Sequence, residues 1–277
     1  MWNIAARVLA TDLDGTLIPL QGNAQHRRDL LQLTKAFRDL PIDLVYVTGR
    51  HLASVQDKIL EHGLPSPAWM ICDVGTTIYR VQGDEIQPIF EYEEFQRELV
   101  GSFPRSHLVR AVAHIPGLEL QEPEKQGPHK LSFYTEASQL QRLVEEVREV
   151  LLRENAPWED IHSIDPFEGT GLLDLLPAGL SKARALAWWS GYTGTHHDEI
   201  IYAGDSGNDW AAFVAGYRTI IVANTDREIA RLVAQEHAER GFQHRLHLAT
   251  KTATSGVLEG CQAFGLFPEK LPKGRNR

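Results

Sequence analysis

The chain has 277 residues, of which 43% are hydrophobic and 23% charged, and 37 acidic against 28 basic residues give a formal net charge of −9. This length predicts one large or two modest domains with a proper core, and the average composition excludes a disordered chain. The acidic balance disfavours duplex nucleic acid and anionic membranes as partners, so we expect a small-molecule substrate.

Short apolar runs alternate with amphipathic segments over the first 72 residues. This alternation is typical of a parallel sheet covered by helices. The predicted strands are 6–11, 42–47 and 69–72, and the predicted helices are 25–40 and 52–62. After Gly75 the alternation breaks, and residues 76–81 and 86–90 flank Gly83-Asp84, which predicts a β-hairpin.

Residues 91–165 differ in composition from the preceding part of the chain and are richer in Pro, Glu, Gln and His. They contain predicted strands at 130–134 and 161–164 and one strongly amphipathic helix at 138–154, as expected for an inserted α+β module. The alternation of the core resumes at 172–176. It continues with a helix at 181–192, a strand at 200–203, a helix at 209–214 and a strand at 219–222.

These elements predict an α/β fold with a Rossmann-like, doubly wound parallel sheet and an inserted α+β cap domain. The expected core comprises residues 1–84 and 170–277, and the expected cap comprises residues 85–169. The basic tail at 272–277 is expected to be disordered.

Two acidic loops directly follow predicted strands. Asp12-Leu13-Asp14-Gly15-Thr16 follows the first strand, and Gly204-Asp205-Ser206-Gly207-Asn208-Asp209 follows the strand at 200–203. The carboxyl ends of parallel strands form one edge, where open α/β sheets bind ligands. Carboxylates gathered there repel one another unless a hard cation lies among them, and Mg²⁺ suits such oxygens. Either loop alone is also compatible with an ordinary acidic turn.

Two further features indicate an anion site. Thr48-Gly49-Arg50 ends the second strand and opens a helix, so a hydroxyl, backbone N–H groups and the helix dipole converge; an ordinary helix cap has the same residues. Lys182 opens the helix at 181–192, where the dipole disfavours a cation. An anion is therefore expected beside Lys182, although a solvated lysine is the common alternative.

In this order the four motifs resemble those of the haloacid dehalogenase-like (HAD) superfamily of phosphohydrolases. The matching positions are Asp12-x-Asp14-Gly15-Thr16, Thr48, Lys182 and Gly204-Asp205-x-x-x-Asp209. The resemblance implies that Asp12 attacks phosphorus to form an aspartyl phosphate. It also implies that Asp14 protonates the leaving alcohol and then takes a proton from the attacking water.

The same resemblance implies a Mg²⁺ cofactor held by Asp12, the carbonyl oxygen of Asp14 and Asp205. Asp209 would lie behind these ligands or reach the ion through water. The phosphoryl oxygens would be held by Thr48, Lys182 and the region of Asn208. Gly49 and Arg50 are further candidates for contact with the phosphate or the rest of the substrate.

Within the superfamily the chain is similar to the sucrose-phosphate phosphatases. The similar segments are 130–134, 173–177, 204–209, 217–224 and 255–260. This resemblance implies a sugar-binding α/β cap, with Gln126 and Lys130 as candidate contacts, and sucrose 6-phosphate or a similar sugar phosphate as substrate. In that family the loop before the cap lysine carries Asn and Trp, where this chain has Gly127 and His129. Mannosylfructose phosphate, glucosylglycerol phosphate and kanosamine 6-phosphate therefore stay open as substrates.

Two other functions remain alternatives to a phosphatase. A phosphomannomutase-like isomerase uses a related core and cap but requires a bisphosphate. A non-catalytic sugar-phosphate-binding protein is disfavoured, because a decayed enzyme would be expected to have lost some of the motif residues. All of them are present: Asp12, Asp14, Thr48, Lys182, Asp205 and Asp209. A sugar-phosphate synthase as partner, and either a monomer or a dimer, also remain open.

The cellular compartment is predicted from what the sequence lacks. The N-terminus has no signal-peptide pattern, and no apolar stretch approaches the roughly 20 residues of a membrane span. Cys72 and Cys261 are far apart, which is typical of reduced core thiols. We therefore expect a cytoplasmic protein.

Overall fold

The computed structural model describes residues 4–165 and 169–267, so the tail expected to be disordered lies outside the described residues. The strands in chain order are β1 (Val8–Thr11), β2 (Asp43–Val47), β3 (Trp69–Cys72), β4 (Thr77–Gln82), β5 (Glu85–Pro88), β6 (Glu119–Leu120), β7 (Leu131–Glu136), β8 (Trp158–Ile164), β9 (Thr170–Pro177), β10 (Ile200–Gly204), β11 (Arg218–Ile221) and β12 (Leu246–Leu248). The helices are α1 (Ala24–Asp39), α2 (Leu52–His62), α3 (Phe90–Val100), α4 (Arg105–Val112), α5 (Leu140–Arg153), α6 (Lys182–Thr193), α7 (Trp210–Phe213), α8 (Arg227–Glu239) and α9 (Ala253–Ala263).

The larger sheet has, within these described ranges, eight strands in the order β12-β11-β10-β1-β2-β3-β4-β5. The strands from β12 to β3 are parallel, and β4 and β5 extend the sheet as the predicted antiparallel hairpin. The chain runs outward from β1 in both directions, which is the doubly wound arrangement. The predicted α/β fold is confirmed.

Both faces of this sheet are covered, which explains why its central strands read as continuous apolar runs. Every residue of β1 and of β10 is buried. On one face Leu9 and Tyr46 pack with Leu33 of α1 and Cys261 of α9. On the other face Ala10 packs in a cluster with residues of α6 and α7. Cys72 and Cys261 are both buried free thiols, as predicted.

A second sheet, in the same described part of the chain, has the order β6-β7-β9-β8 and is antiparallel throughout. Helix α5 covers it with the apolar stripe expected from the sequence, so Leu143 and Val147 are buried against Leu173 and Leu175 of β9. We propose that this sheet and its helices form the inserted cap. No helix in the described ranges is long and apolar enough to cross a bilayer.

The strand pairing does not follow the expected boundaries of the cap. Residues 85–88 pair with β4 in the larger sheet, whereas residues 170–177, expected to belong to the core, pair with β7 and β8 of the cap. The apolar alternation at 172–176 correctly predicted a strand, but periodicity carries no information about which sheet a strand joins. We propose that the cap is the insertion between β5 and α6.

Candidate active site

Strand register brings the predicted loops together at one edge of the larger sheet. Thr11, the last residue of β1, pairs with Tyr46 of β2 on one side and with Ala203 of β10 on the other. The loops that follow these three strands therefore start side by side. They carry Asp12, Thr48 and Asp205, as the sequence predicted.

Asp12 is buried, with 4% of its surface exposed. Its Oδ1 accepts a hydrogen bond of 2.8 Å from the backbone N–H of Leu13, and its Oδ2 lies 3.0 Å from Nζ of Lys182. Burial raises the pKa of Asp12 well above its ordinary value, while the charge of Lys182 opposes this and the nearby carboxylates reinforce it. A carboxylate at this position therefore needs positive charge beside it.

Lys182 has the anionic partners that its position at the start of α6 predicted. The side chain is fully buried, and its Nζ donates to Oδ1 of Asp209 at 2.7 Å and to Oδ1 of Asn208 at 2.8 Å. Burial lowers the pKa of this ammonium, but Asp12 and Asp209 outweigh burial and raise the pKa above its ordinary value. Lys182 is thus a permanent cation between two acids.

Asp209 has no exposed surface and holds the second acidic loop in place. Its Oδ1 also accepts from the hydroxyl of Tyr202 at 2.6 Å, and its Oδ2 accepts from the backbone N–H groups of Asp205 and Ser206 at 3.1 and 3.2 Å. Sequence reasoning missed Tyr202, whose only signal is a hydroxyl within an otherwise apolar strand. Gly204 makes room for Asp209, because a Cβ there would lie 2.6 Å from Oδ2.

One carboxylate oxygen from each of Asp12, Asp205 and Asp209 lies within 4.8 Å of the other two. Burial and the charge of Asp209 raise the pKa of Asp205 to about 7, although the hydroxyl of Thr16 donates to it at 2.9 Å. Gly15, with φ of +67°, lets the first loop approach, since a Cβ there would lie 2.2 Å from Oδ2 of Asp205. Crowded, buried oxygens of this kind suit a divalent cation.

Asn224, in the loop after β11, joins both acidic loops to α9. Its Nδ2 donates to the carbonyl oxygen of Gly15 at 2.9 Å and, more weakly, to Oδ2 of Asp205 at 3.4 Å. Its Oδ1 accepts from the backbone N–H of Ala253 at 2.8 Å, at the first residue of α9, where φ is +44°. Helix α9 is therefore tied directly to both acidic loops.

The side chain of Asp14 lies outside this three-acid cluster and is paired with Arg50. The guanidinium of Arg50 donates to both carboxylate oxygens at 2.6 and 2.7 Å, and its third nitrogen donates to Oγ of Ser54 at 2.6 Å. This bidentate geometry is among the stronger side-chain contacts in proteins. Arg50 thus holds Asp14 in this structure, and its contact with a substrate stays a prediction.

The other sequence candidates have the following surroundings. Thr48 is 1% exposed, and its Oγ1 accepts from the backbone N–H of Arg50 at 3.2 Å, while Gly49 lies between them. Gln126 uses its amide to join the carbonyl oxygens of Gln121 and Ser132 and the N–H of Ser132. Gln126 thus shapes the loop before β7, and its contact with a substrate stays a prediction.

Lys130 reaches from the cap toward a core residue that sequence reasoning missed. Its Nζ lies 3.6 Å from Oδ1 of Asp73, which follows β3 directly, and 3.8 Å from Oδ1 of Asp174 on β9. The sequence does contain a signal for Asp73, because this acid directly follows a buried strand, as the acids of the two acidic loops do.

Comparison with known proteins identifies the family of the chain. Residues 5–265 match the model of the sucrose-6F-phosphate phosphohydrolase family. The chain belongs to this family. It is therefore a phosphatase of the HAD superfamily, and the resemblance predicted from the motifs is confirmed.

Individual relatives cover nearly the whole chain. A putative HAD-like hydrolase of Nitrosococcus oceani is 32% identical over 95% of this chain and 72% of its own length. The mannosylfructose-phosphate phosphatase of Agrobacterium fabrum is 29% identical over 95% of this chain and 98% of its own length. The sucrose-phosphatase of Synechocystis sp., solved with sucrose and phosphate, shares the fold with a TM-score of 0.75 at 23% identity, covering 94% of this chain and 98% of the other.

Proposed function

We propose that this phosphatase hydrolyses a sugar phosphate through an aspartyl phosphate on Asp12, with Mg²⁺ bound at the carboxylate cluster. The main support is the buried contact of Asp12 Oδ2 with Lys182 Nζ at 3.0 Å. A buried carboxyl group normally stays protonated, and in that form it is a poor nucleophile. The ammonium beside it favours the charged, nucleophilic form.

The donors of the cluster fit Mg²⁺, which takes carboxylate oxygens and retains several waters. Both oxygens of Asp209 already accept hydrogen bonds from four groups. We therefore assign the direct carboxylate ligands to Asp12 and Asp205, with the carbonyl oxygen of Asp14 as a third ligand. When bound, the ion offsets the repulsion between the nucleophile and the phosphate oxygens.

In the first step a carboxylate oxygen of Asp12 attacks phosphorus, and the bond between phosphorus and the sugar oxygen breaks. For this step Asp14 exchanges one of its two contacts with Arg50 for a proton, which it then gives to that leaving oxygen. Water then attacks phosphorus and loses a proton to Asp14, which releases inorganic phosphate and restores the Asp12 carboxylate. The Thr48 hydroxyl and the Lys182 ammonium hold the phosphoryl oxygens during both steps.

The proposed substrates are sucrose 6-phosphate and mannosylfructose phosphate. This choice rests on the description of the family and on a relative named as a mannosylfructose-phosphate phosphatase, which matches over 95% of this chain and 98% of its own length. Lys130 is proposed as the direct sugar contact of the cap, and Gln126 as the residue that shapes the loop carrying it. Closure of the cap over the cluster would exclude bulk water from the reaction.

Phosphate release tests the substrate, the metal and the nucleophile together. Wild-type protein is assayed on sucrose 6-phosphate, mannosylfructose phosphate, glucosylglycerol phosphate and kanosamine 6-phosphate, with Mg²⁺ and with EDTA. We expect Asp12→Asn to reduce kcat by about a thousandfold or more. The control Asp43→Asn, exposed at the opposite end of β2, should keep the wild-type rate.

Two observations would overturn the proposal. One is phosphate release by Asp12→Asn at the wild-type rate, since no aspartyl phosphate can then be required. The other is interconversion of sugar phosphates that depends on a bisphosphate, which would identify an isomerase. Acid-quenched wild-type protein should also retain label from a ³²P-labelled substrate.

A further inference from the structure

Asp73 occupies an unusual position between the core and the cap. It follows β3 directly, and its φ of +54° and the φ of +60° at Val74 lie in the left-handed region that residues other than glycine rarely adopt. The N–H groups of Asp73 and Val74 donate to the carbonyl oxygens of Arg50 and Thr48 at 2.9 and 3.1 Å. The strained turn is thus fastened to the loop that is proposed to bind phosphate.

The polar atoms around Asp73 are buried but incompletely paired. Asp73 is 8% exposed, and its Oδ2 accepts from the hydroxyl of Thr77, whereas its Oδ1 has no hydrogen-bond partner among the described residues. Lys130 is 4% exposed, and its Nζ lies beyond hydrogen-bond distance of both neighbouring carboxylates. Nδ1 of His129, beside Lys130 in sequence, is likewise buried without a partner in the described chain.

Oδ1 of Asp73, in the core, is a hydrogen-bond acceptor, and Nζ of Lys130, in the cap, is a donor. The two atoms face each other across the boundary between core and cap. Unpaired buried polar atoms are costly, so native structures retain few of them, and those found often mark a functional site. A carboxylate oxygen and an ammonium 3.6 Å apart can bind two neighbouring hydroxyl groups, one donating to Oδ1 and one accepting from Nζ. Polyhydroxyl compounds offer that pattern.

We propose that Asp73, acting with Lys130, binds neighbouring hydroxyl groups of the substrate's sugar and thereby determines which sugar phosphates are accepted. This inference rests on the proposed sugar-phosphate phosphatase activity. The competing explanation is an ion pair that only latches the cap to the core. A latch predicts equal effects on all substrates, whereas a hydroxyl-binding site predicts effects that depend on the sugar.

The test uses Asp73→Asn in the full-length protein, with two substrates compared side by side. Asparagine tolerates positive φ, so the backbone turn is expected to survive. The measured quantity is kcat/KM for sucrose 6-phosphate and for mannosylfructose phosphate, each divided by kcat/KM for p-nitrophenyl phosphate, which carries no hydroxyl groups. Hydrogen bonds to charged groups predict that this ratio falls about 10- to 100-fold for the preferred sugar phosphate, through KM more than through kcat.

Three further measurements make the result decisive. Lys130→Met should lower the same ratio, and it replaces Asp73→Asn if that variant does not fold. Asp43→Asn should leave the ratio at the wild-type value. Calorimetric titration of wild-type protein with sucrose, compared with the Asp73 variant, detects hydroxyl binding without any phosphate chemistry.

An unchanged ratio in folded Asp73 and Lys130 variants would overturn the hydroxyl site and leave only a latch. Equal losses on the sugar phosphates and on p-nitrophenyl phosphate would overturn it in the same way. Failure of the proposed function looks different. In that case wild-type protein would release phosphate from p-nitrophenyl phosphate but from none of the sugar phosphates.

Discussion

Replacing Lys182 with methionine tests whether one buried cation holds the acidic cluster together. Nζ lies 3.0 Å from Asp12 and 2.7 Å from Asp209, and the exposed fractions of the three side chains are 1%, 6% and 0%. Each pair at ~3 Å is worth about 5 kcal/mol at an effective dielectric of 20. Protonation of a carboxyl recovers part of this, so the free energy of unfolding should fall by about 3–5 kcal/mol.

The assay is urea unfolding of the metal-free protein in EDTA at neutral pH, followed by circular dichroism. Lys58→Met is the control, because within the described part of the chain Lys58 forms a single ion pair, with Glu61 at the surface. Its loss should change stability by less than about 0.5 kcal/mol. A loss below about 1 kcal/mol in Lys182→Met would refute the electrostatic account, since an uncompensated pair of buried acids costs more than that. The phosphatase activity of Lys182→Met should also be lost.

Three other perturbations have separate readouts. Gly15→Ala places a Cβ 2.2 Å from Asp205, so the dissociation constant for Mg²⁺, measured by calorimetry, should rise about 10- to 100-fold. The control is Gly22→Ala, which is also at positive φ but has open space around it, and it should leave that dissociation constant unchanged. Arg50→Lys breaks the bidentate clamp on Asp14 and should lower kcat about tenfold with little change in KM; an unchanged kcat would show that the clamp is dispensable. Excess EDTA should abolish phosphate release and Mg²⁺ should restore it; turnover without a divalent ion would exclude the proposed metal role.

The sequence was enough to predict that the site residues lie together, because their meeting depends on the order of the strands more than on individual side-chain contacts. Acids directly after buried parallel strands must meet at one edge of the sheet. For this reason Asp12, Asp205 and Lys182 lie together as expected. What the sequence could not show is how hydrogen bonds are distributed, such as the commitment of Arg50 to Asp14 and of Gln126 to its own loop.

Some elements of the fold gave weak or ambiguous signals. Helix α8 buries only Val233 and His237, so its apolar stripe is thin, and β12 has three residues, none of them fully buried. Strand β9 alternates as a core strand would, yet pairs within the cap. Periodicity reports the burial of a face, whereas sheet membership depends on contacts between residues far apart in the chain.

The position of β1 has a consequence for the growing chain on the ribosome. β1 lies between β2 and β10, but β10 is synthesised only after the whole cap. Thr16 and Asp205, which hydrogen-bond in the finished protein, are 189 positions apart. Until β10 emerges, one edge of a fully buried strand has no native partner, and unpaired apolar edges promote aggregation. Translation of the cap therefore sets a waiting time during which the nascent core should depend on chaperones, and contacts this distant in sequence should make folding slow.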